Sequence, residues 1–239
     1  MRYLPLIALL LLASCRNVPQ ERREGIRATT QAADPAQHEQ LRAQYTSLLL
    51  GDASQPADED PHVRAAAAQA LGNLGYPDDT DTLIEAMAGP LADESVQVRL
   101  ECAIALGKLR FAGVKDARRI EAIRVLRGRV AFDRDTAGRP METEFMVRSA
   151  MLDSLVNMGG RSAAVAIHDV ATRINADLES MASALTAATD KGLLDRCFSG
   201  LCDITGVPPR DAAANRLTNE DNVRHLQWWA DQISRLPDS

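Results

Sequence analysis

The sequence predicts an all-α fold, an α-solenoid built from consecutive helix–turn–helix repeats. Composition is the first indication: about one residue in six of the 239 is Ala, aromatic residues make up 4%, and β-branched runs are few, all of which favour helices. The second is an internal repeat, since two stretches resemble each other at an offset of 35 residues. The third is the helical spacing of the apolar residues within each copy.

The repeated motif occupies residues 60–75 and recurs at 95–109. The Val-Arg pairs at 63–64 and 98–99 keep the offset, and so do the Ala-Leu-Gly triplets that follow them. In the first copy the apolar residues fall at i, i+4, i+7, i+8 and i+11, which is one face of a helix: Val63, Ala67, Ala70, Leu71 and Leu74. Asp60 followed by Pro61 predicts where this helix starts, as an N-cap and a first helical residue.

A third, more degenerate copy begins at Val147-Arg148, 49 residues after the second. The excess of 14 residues is expected in segment 131–145, whose Gly, Pro and charged residues predict a loop. A second amphipathic stretch follows each copy, at Thr80–Met87, Asp116–Arg129 and Arg161–Ile174. Further helices are predicted at Gln37–Leu50, at about 177–189 and 191–205 as a fourth pair, and at Asn219–Arg235.

The line D-P-x-V-R-x-x-A-x-x-A-L-G-x-L-G of the first copy resembles a HEAT repeat, in the variant also found in phycobilisome-lyase-like proteins. The matching residues are Asp60, Pro61, Val63, Arg64, Ala67, Ala70, Leu71, Gly72, Leu74 and Gly75. The second copy has Cys102 where the pattern has Ala, and the third lacks the Gly after Leu155. The resemblance covers about residues 58–175 and implies an α-solenoid of HEAT-like repeats, but it implies little about function, because this scaffold hosts many roles.

The start of the chain reads as an export signal, because Arg2 precedes an apolar run that is too short to span a bilayer. The end of this run, Leu-Ala-Ser-Cys at 12–15, resembles the bacterial lipobox. That resemblance implies removal of residues 1–14 and attachment of lipid, such as palmitate, to Cys15. Arg16 at the next position implies the outer membrane, facing the periplasm. The alternative is an ordinary secreted protein with a chance Cys15.

Three segments follow from these patterns. Residues 1–14 form the signal peptide, residues 15–35 form a lipidated Cys with a flexible polar tether, and residues 36–239 form the solenoid with a C-terminal capping helix. The arginines at one repeat position are expected to pair with acidic turn residues of neighbouring repeats: Arg64, Arg99 and Arg148 with Asp78, Asp79, Asp81, Asp93 or Asp116. The alternative is a row of arginines that binds anions.

The chain carries no recognisable catalytic or metal-binding pattern, since its four Cys and four His form no CxxC, HxxxH or HExxH motif. Cys102 and Cys197 are expected to be small core residues, and the sequence does not decide whether Cys102, Cys197 or Cys202 forms a disulfide. The formal net charge of −6 and the scarcity of aromatic residues argue against nucleic acid. We therefore expect no enzymatic activity, no cofactor and no metal.

The resulting expectation is a membrane-tethered scaffold or adaptor that binds another protein of the cell envelope. Its contact residues are expected in the 131–145 loop and at the tryptophan pair of the last helix: Arg134, Arg139, Trp228 and Trp229. The alternative for the loop is a tolerated surface insertion with no role in binding, and the alternative for the tryptophans is closure of the end of the solenoid. The alternative function is a lyase-like or accessory enzyme subunit that holds a small cofactor in the solenoid groove.

Overall fold

The computed structural model describes residues 19–89, 92–131, 141–180, 184–208 and 219–237. These residues form ten α-helices and two short 3₁₀ turns, at Pro35–Gln37 and Pro77–Asp79, and contain no strand. The helices are α1 (Pro19–Ala32), α2 (His38–Leu50), α3 (Pro61–Leu74), α4 (Thr80–Ala88), α5 (Val96–Leu106), α6 (Ala117–Ala131), α7 (Phe145–Met158), α8 (Gly160–Ser180), α9 (Ala184–Thr205) and α10 (Asn219–Ser234). Within the described ranges, no helix has both the length and the apolar character needed to cross a membrane.

The chain divides into two compact units, Met1–Arg110 and Phe111–Ser239. In the first unit α3 packs between α1 and α5 in one row, and α2 and α4 form a second row against it. In the second unit α8 packs between α6 and α10 in one row, and α7 and α9 form the other. Consecutive helices thus alternate between two rows, as in an α-solenoid, and the predicted fold class is confirmed.

Local sequence explains why α3 begins and ends where it does. The Asp60 side chain accepts a hydrogen bond from the backbone N–H of His62 at 2.8 Å, and Pro61 takes the first helical position. The helix ends at Gly75, whose φ of 76° is left-handed and whose N–H donates to the carbonyl of Leu71. The N-cap and first helical residue predicted for this copy are therefore confirmed.

The apolar faces predicted from the repeat form the core. The core positions of the three copies are all buried: Val63, Ala67, Ala70, Leu71 and Leu74 in the first, Val98, Cys102, Ala105, Leu106 and Leu109 in the second, and Val147, Met151 and Leu155 in the third. Small residues let neighbouring helices approach closely within each unit, most clearly where α3 meets α5.

The prediction of a flexible tether over residues 16–35 is wrong for residues 19–32, which form α1. This helix lies against α3 and buries Ile26 to 1% exposure. Its other anchors are polar: Arg22 pairs with Asp58, and Arg27 Nε donates to the side-chain oxygen of Gln69 at 3.3 Å. A helix held by one apolar side chain and by polar contacts lacks the apolar periodicity by which a sequence reveals amphipathic helices.

The predicted fourth helix pair is also corrected. α8 continues to Ser180, and α9 is one helix from Ala184 to Thr205, so the helices expected at 177–189 and 191–205 do not exist as such. The break expected at residue 190 falls inside α9, and so does Gly192, which lies beside the ring of Phe145. Tertiary packing therefore overrides the low helix propensity of this glycine. The last pair consists of α9 and α10, and α10 matches the predicted terminal helix.

Candidate functional site

An acidic residue stands six positions before the repeat arginine in each of the three copies, and we call these three residues the carboxylate row: Asp58, Asp93 and Glu142. Each carboxylate accepts a hydrogen bond from the backbone N–H two residues later, at 2.8–3.0 Å: from Asp60, Ser95 and Glu144 respectively. These bonds fix the chain just before α3, α5 and α7 begin.

Each member of the carboxylate row also pairs with an arginine from a preceding helix. Arg22 of α1 pairs with Asp58, and Arg129 of α6 with Glu142 at 3.4 Å. In the second copy, the Asp93 carboxylate accepts two hydrogen bonds from Arg64 of α3, from Nε to Oδ2 at 2.6 Å and from Nη2 to Oδ1 at 2.9 Å. These bonds raise the pKa of the Arg64 guanidinium. The predicted pairing of Arg64 with a turn carboxylate is therefore confirmed.

The repeat arginines also bind backbone carbonyls. Arg64 Nη1 donates to the carbonyl of Asp58 at 2.6 Å, and Arg99 Nη1 donates to the carbonyl of Asp93 at 2.9 Å. Arg148 differs, because its Nε donates to the carbonyl of Val130, 18 residues earlier. The partners predicted for Arg148 are wrong, since its Nη1 donates at 2.9 Å to Asp190 of α9 and not to one of the expected turn residues. The sequence contained a signal for the row that the repeat analysis missed, since the dipeptide Asp-Glu recurs at 58–59 and 93–94.

A second polar cluster joins α2 to the turn between α3 and α4. Arg42 Nε lies 2.9 Å from both carboxylate oxygens of the buried Asp79, and its guanidinium stands 4.7 Å from the centre of the Tyr76 ring. The hydrogen bond with Asp79 raises the pKa of Arg42. His38 Nδ1 lies 2.9 Å from the Tyr76 hydroxyl. This cluster therefore fixes α2 against the neighbouring repeat.

A cavity of about 470 Å³ opens between α1, α2 and the segment 51–60, and we call it the loop groove. Ile26, Leu48 and Pro56 contribute its apolar lining. Its polar lining includes Gln44 and the Arg22–Asp58 pair. Two backbone contacts fix the conformation of segment 51–60. One is an antiparallel β-bridge between Gly51 and Pro56, and the other is a hydrogen bond of 2.9 Å from the N–H of Asp58 to the carbonyl of Leu48.

The tryptophan pair occupies two different environments in α10. Trp229 is fully buried and packs edge-on against Trp228 with ring centres 4.6 Å apart, and His225 stacks on Phe198 of α9 at 4.9 Å. Trp229 is therefore a core residue, and the prediction that it forms a surface contact is wrong because its side chain is buried. Trp228 is partly exposed, and its role in binding stays a prediction.

The remaining predicted site residues fall in two groups. Cys15, Arg134 and Arg139 lie outside the described residues. Cys102, Cys197 and Cys202 are free thiols; the first two are fully buried core residues as predicted, and burial raises the pKa of each of the three. In the part of the chain that the structure describes, no group of His, Cys, Asp or Glu side chains is arranged to hold a metal ion.

Comparison with known proteins agrees with this architecture. No curated protein matches the chain. The family model for HEAT repeats matches residues 19–94 and again residues 47–139, which together span just over half of the chain. The first match begins at Pro19, where α1 begins, so α1 and α2 are included in the repeat region. The chain therefore belongs to the family of proteins with HEAT repeats.

Proposed function

We propose that the protein is a membrane-tethered scaffold that binds another protein of the cell envelope and catalyses no reaction itself. The observation that carries the proposal is an exposed apolar pair at the start of α7. Phe145 and Met146 are 38% and 61% exposed, and the same repeat positions hold Pro and His in the first copy and Val and Gln in the second. Val96 is also 38% exposed, so the third copy differs in having two large apolar side chains next to each other, and contiguous exposed apolar surface marks candidate contact sites.

The residues on either side of this apolar pair are fixed by hydrogen bonds and ion pairs. The backbone N–H of Glu142 donates to the carbonyl of Arg129 at 2.9 Å, and the two side chains form an ion pair. Arg148, one turn into α7, is bound to Asp190. A contact surface presented on a rigid base loses little conformational freedom on binding, which favours affinity.

The proposed anchor is Cys15, which lies four residues before α1 begins at Pro19. Over that distance a fully extended chain reaches about 14 Å at most. Lipid on Cys15 would therefore hold the first helix pair close to the membrane surface. Each buried methylene of the lipid contributes about 0.8 kcal/mol to anchoring, so several acyl chains make a durable anchor.

Crosslinking in intact cells of the native host tests the scaffold role. Tagged full-length protein would be compared with Met146→Asp and with a variant in which residues 132–140 are replaced by a short Gly-Ser bridge. Val165→Asp is the matched control, because Val165 is also apolar and 42% exposed but lies on α8. We expect one dominant crosslinked protein, lost with Met146→Asp and retained with Val165→Asp. Equal capture by all variants contradicts the proposed contact surface.

The anchor requires a separate experiment. Cells expressing full-length protein or Cys15→Ala would be fed an alkyne analogue of palmitate and then fractionated. We expect label and membrane association with the wild-type chain, and loss of both with Cys15→Ala. An unlabelled wild-type chain recovered in the soluble fraction contradicts the tether and leaves the scaffold role to the crosslinking result.

A further inference from the structure

We propose that the loop groove binds a lysine- or arginine-bearing apolar segment of the partner protein. This inference rests on the proposed scaffold function and specifies the chemistry of the partner. The groove lies between α1, α2 and segment 51–60, and its volume of about 470 Å³ is large enough for several side chains.

The lining of the groove combines apolar surface with an acceptor that lacks a donor. Leu48, Pro56 and Ala57 offer apolar surface to a ligand. Gln44 also lines the groove, and its side-chain oxygen is buried without a hydrogen-bond partner in the described part of the chain. That oxygen has almost no solvent-accessible surface, so a backbone N–H or an ammonium group of a ligand would reach it only after the Gln44 side chain turned into the groove.

The charge at the groove is negative. Inside the groove the charge of Arg22 is matched by Asp58. At the rim the Glu59 side chain is exposed, and Asp52 stands nearby in the same segment. Hydrogen bonds from the hydroxyls of Ser47 and Ser54 hold the pKa of Asp52 well below its usual range, so this carboxylate remains ionised at any physiological pH.

The wider surroundings have the same sign, because residues 19–110 carry 15 Asp and Glu against 8 Lys and Arg. Such a field attracts cationic segments and repels acidic ones, nucleic acids and anionic lipid surfaces. Lys and Arg fit both properties of the groove, since their aliphatic stems cover apolar surface while their charged heads reach the rim. Leu48 and Pro56 would contact the stem, and Glu59 would attract the head.

Peptide binding to the full-length protein in detergent tests this inference. The probe is the fluorescent nonapeptide LKALKALKA, and its acidic counterpart LEALEALEA is the control; binding is followed by fluorescence anisotropy. Glu59→Gln removes the rim charge, and Ala57→Phe fills the groove without changing any charge. Glu94→Gln is the matched control, because Glu94 is exposed at the same repeat position one copy later, outside the groove.

We expect the lysine peptide to bind and the acidic peptide not to bind. Glu59→Gln and Ala57→Phe should each weaken binding by about fivefold or more, as the loss of one ion pair or of the apolar contact implies, and Glu94→Gln by less than about twofold. Thermal unfolding of each variant verifies that it is folded.

Three results of the peptide experiment would overturn the inference: no binding of the lysine peptide, equal binding of both peptides, or equal weakening by Glu59→Gln and Glu94→Gln. The last would mean that the peptide responds to acidic charge in general. If the native partner is captured normally by Glu59→Gln and Ala57→Phe but lost with Met146→Asp, the scaffold function stands and the groove has no part in it.

Discussion

A Cβ atom placed on Gly72 of α3 would stand 2.7 Å from both the Cα and the Cβ of Ala105 in α5. Real Cβ atoms do not approach other carbons so closely, so the two helix backbones cross with only the methyl group of Ala105 between them at this point. Both residues belong to the repeated Ala-Leu-Gly triplets at 70–72 and 105–107. Gly72 therefore leaves the space that Ala105 of the neighbouring repeat occupies.

Gly72→Ala should lower the free energy of unfolding. Alanine would favour an isolated helix by about 1 kcal/mol, but the overlap with Ala105 forces α3 and α5 apart, and overpacking of this kind costs about 1–3 kcal/mol. Urea unfolding followed by circular dichroism measures the net loss. Gly192→Ala is the control, because a Cβ there would meet the Phe145 ring at an ordinary 3.7 Å. A Gly72→Ala variant as stable as Gly192→Ala would contradict the close crossing.

Arg64→Met should destabilise the first unit by about 1–3 kcal/mol. The substitution leaves the largely buried Asp93 carboxylate without its guanidinium and removes a donor from the carbonyl of Asp58. The measurement is again urea unfolding. Arg224→Met is the control, because Arg224 is highly exposed and faces Asp221 on the same helix, so its loss should cost about 0.5 kcal/mol or less. Equal effects of the two substitutions would contradict a stabilising role for the carboxylate row.

Glu101→Gln should stabilise the protein at pH 7 but not at pH 3.5. Burial raises the pKa of Glu101 in the native state, against the attraction of Lys108. As the pH rises, the unfolded chain loses this proton first, near its ordinary pKa of about 4.3, so the native state loses stability from there up to its own raised pKa. Glutamine avoids that loss and can still accept the hydrogen bond from Gln97. Thermal unfolding at both pH values measures the difference, and a wild-type chain more stable than the variant at pH 7 would contradict it.

The three thiols of a Cys15→Ala chain should differ sharply in reactivity. Cys102 and Cys197 are fully buried and burial raises the pKa of each, whereas Cys202 is partly exposed. A maleimide reagent should modify one thiol in the native protein and three in 8 M urea, and mass spectrometry of the digested protein identifies the site. Rapid native labelling of Cys102 or Cys197 would show that these core positions open easily.

The sequence predicted the parts of the fold that follow from local periodicity. The buried face from Val63 to Leu74 and the start of α3 at Asp60 and Pro61 were readable because one face of one helix determines them. α1 was not readable, because Ile26 is held by α3 and by polar contacts far along the chain. Asp93 was among the partners expected for Arg64, but the partner of Asp58 was hidden, since Arg22 lies 36 residues away in a helix that the sequence did not reveal.

The contact between Arg129 and Glu142 also bears on how the chain tolerates changes in length. These two residues are joined by a backbone hydrogen bond and by an ion pair. The two ends of the 12-residue segment that separates them are therefore held close together. A longer loop at this place would raise the entropic cost of loop closure only slightly, by about 0.6 kcal/mol for each doubling of its length. The junction between α6 and α7 is therefore a place where a foreign peptide, such as an epitope or a fluorescent tag, could be inserted without disturbing the helices.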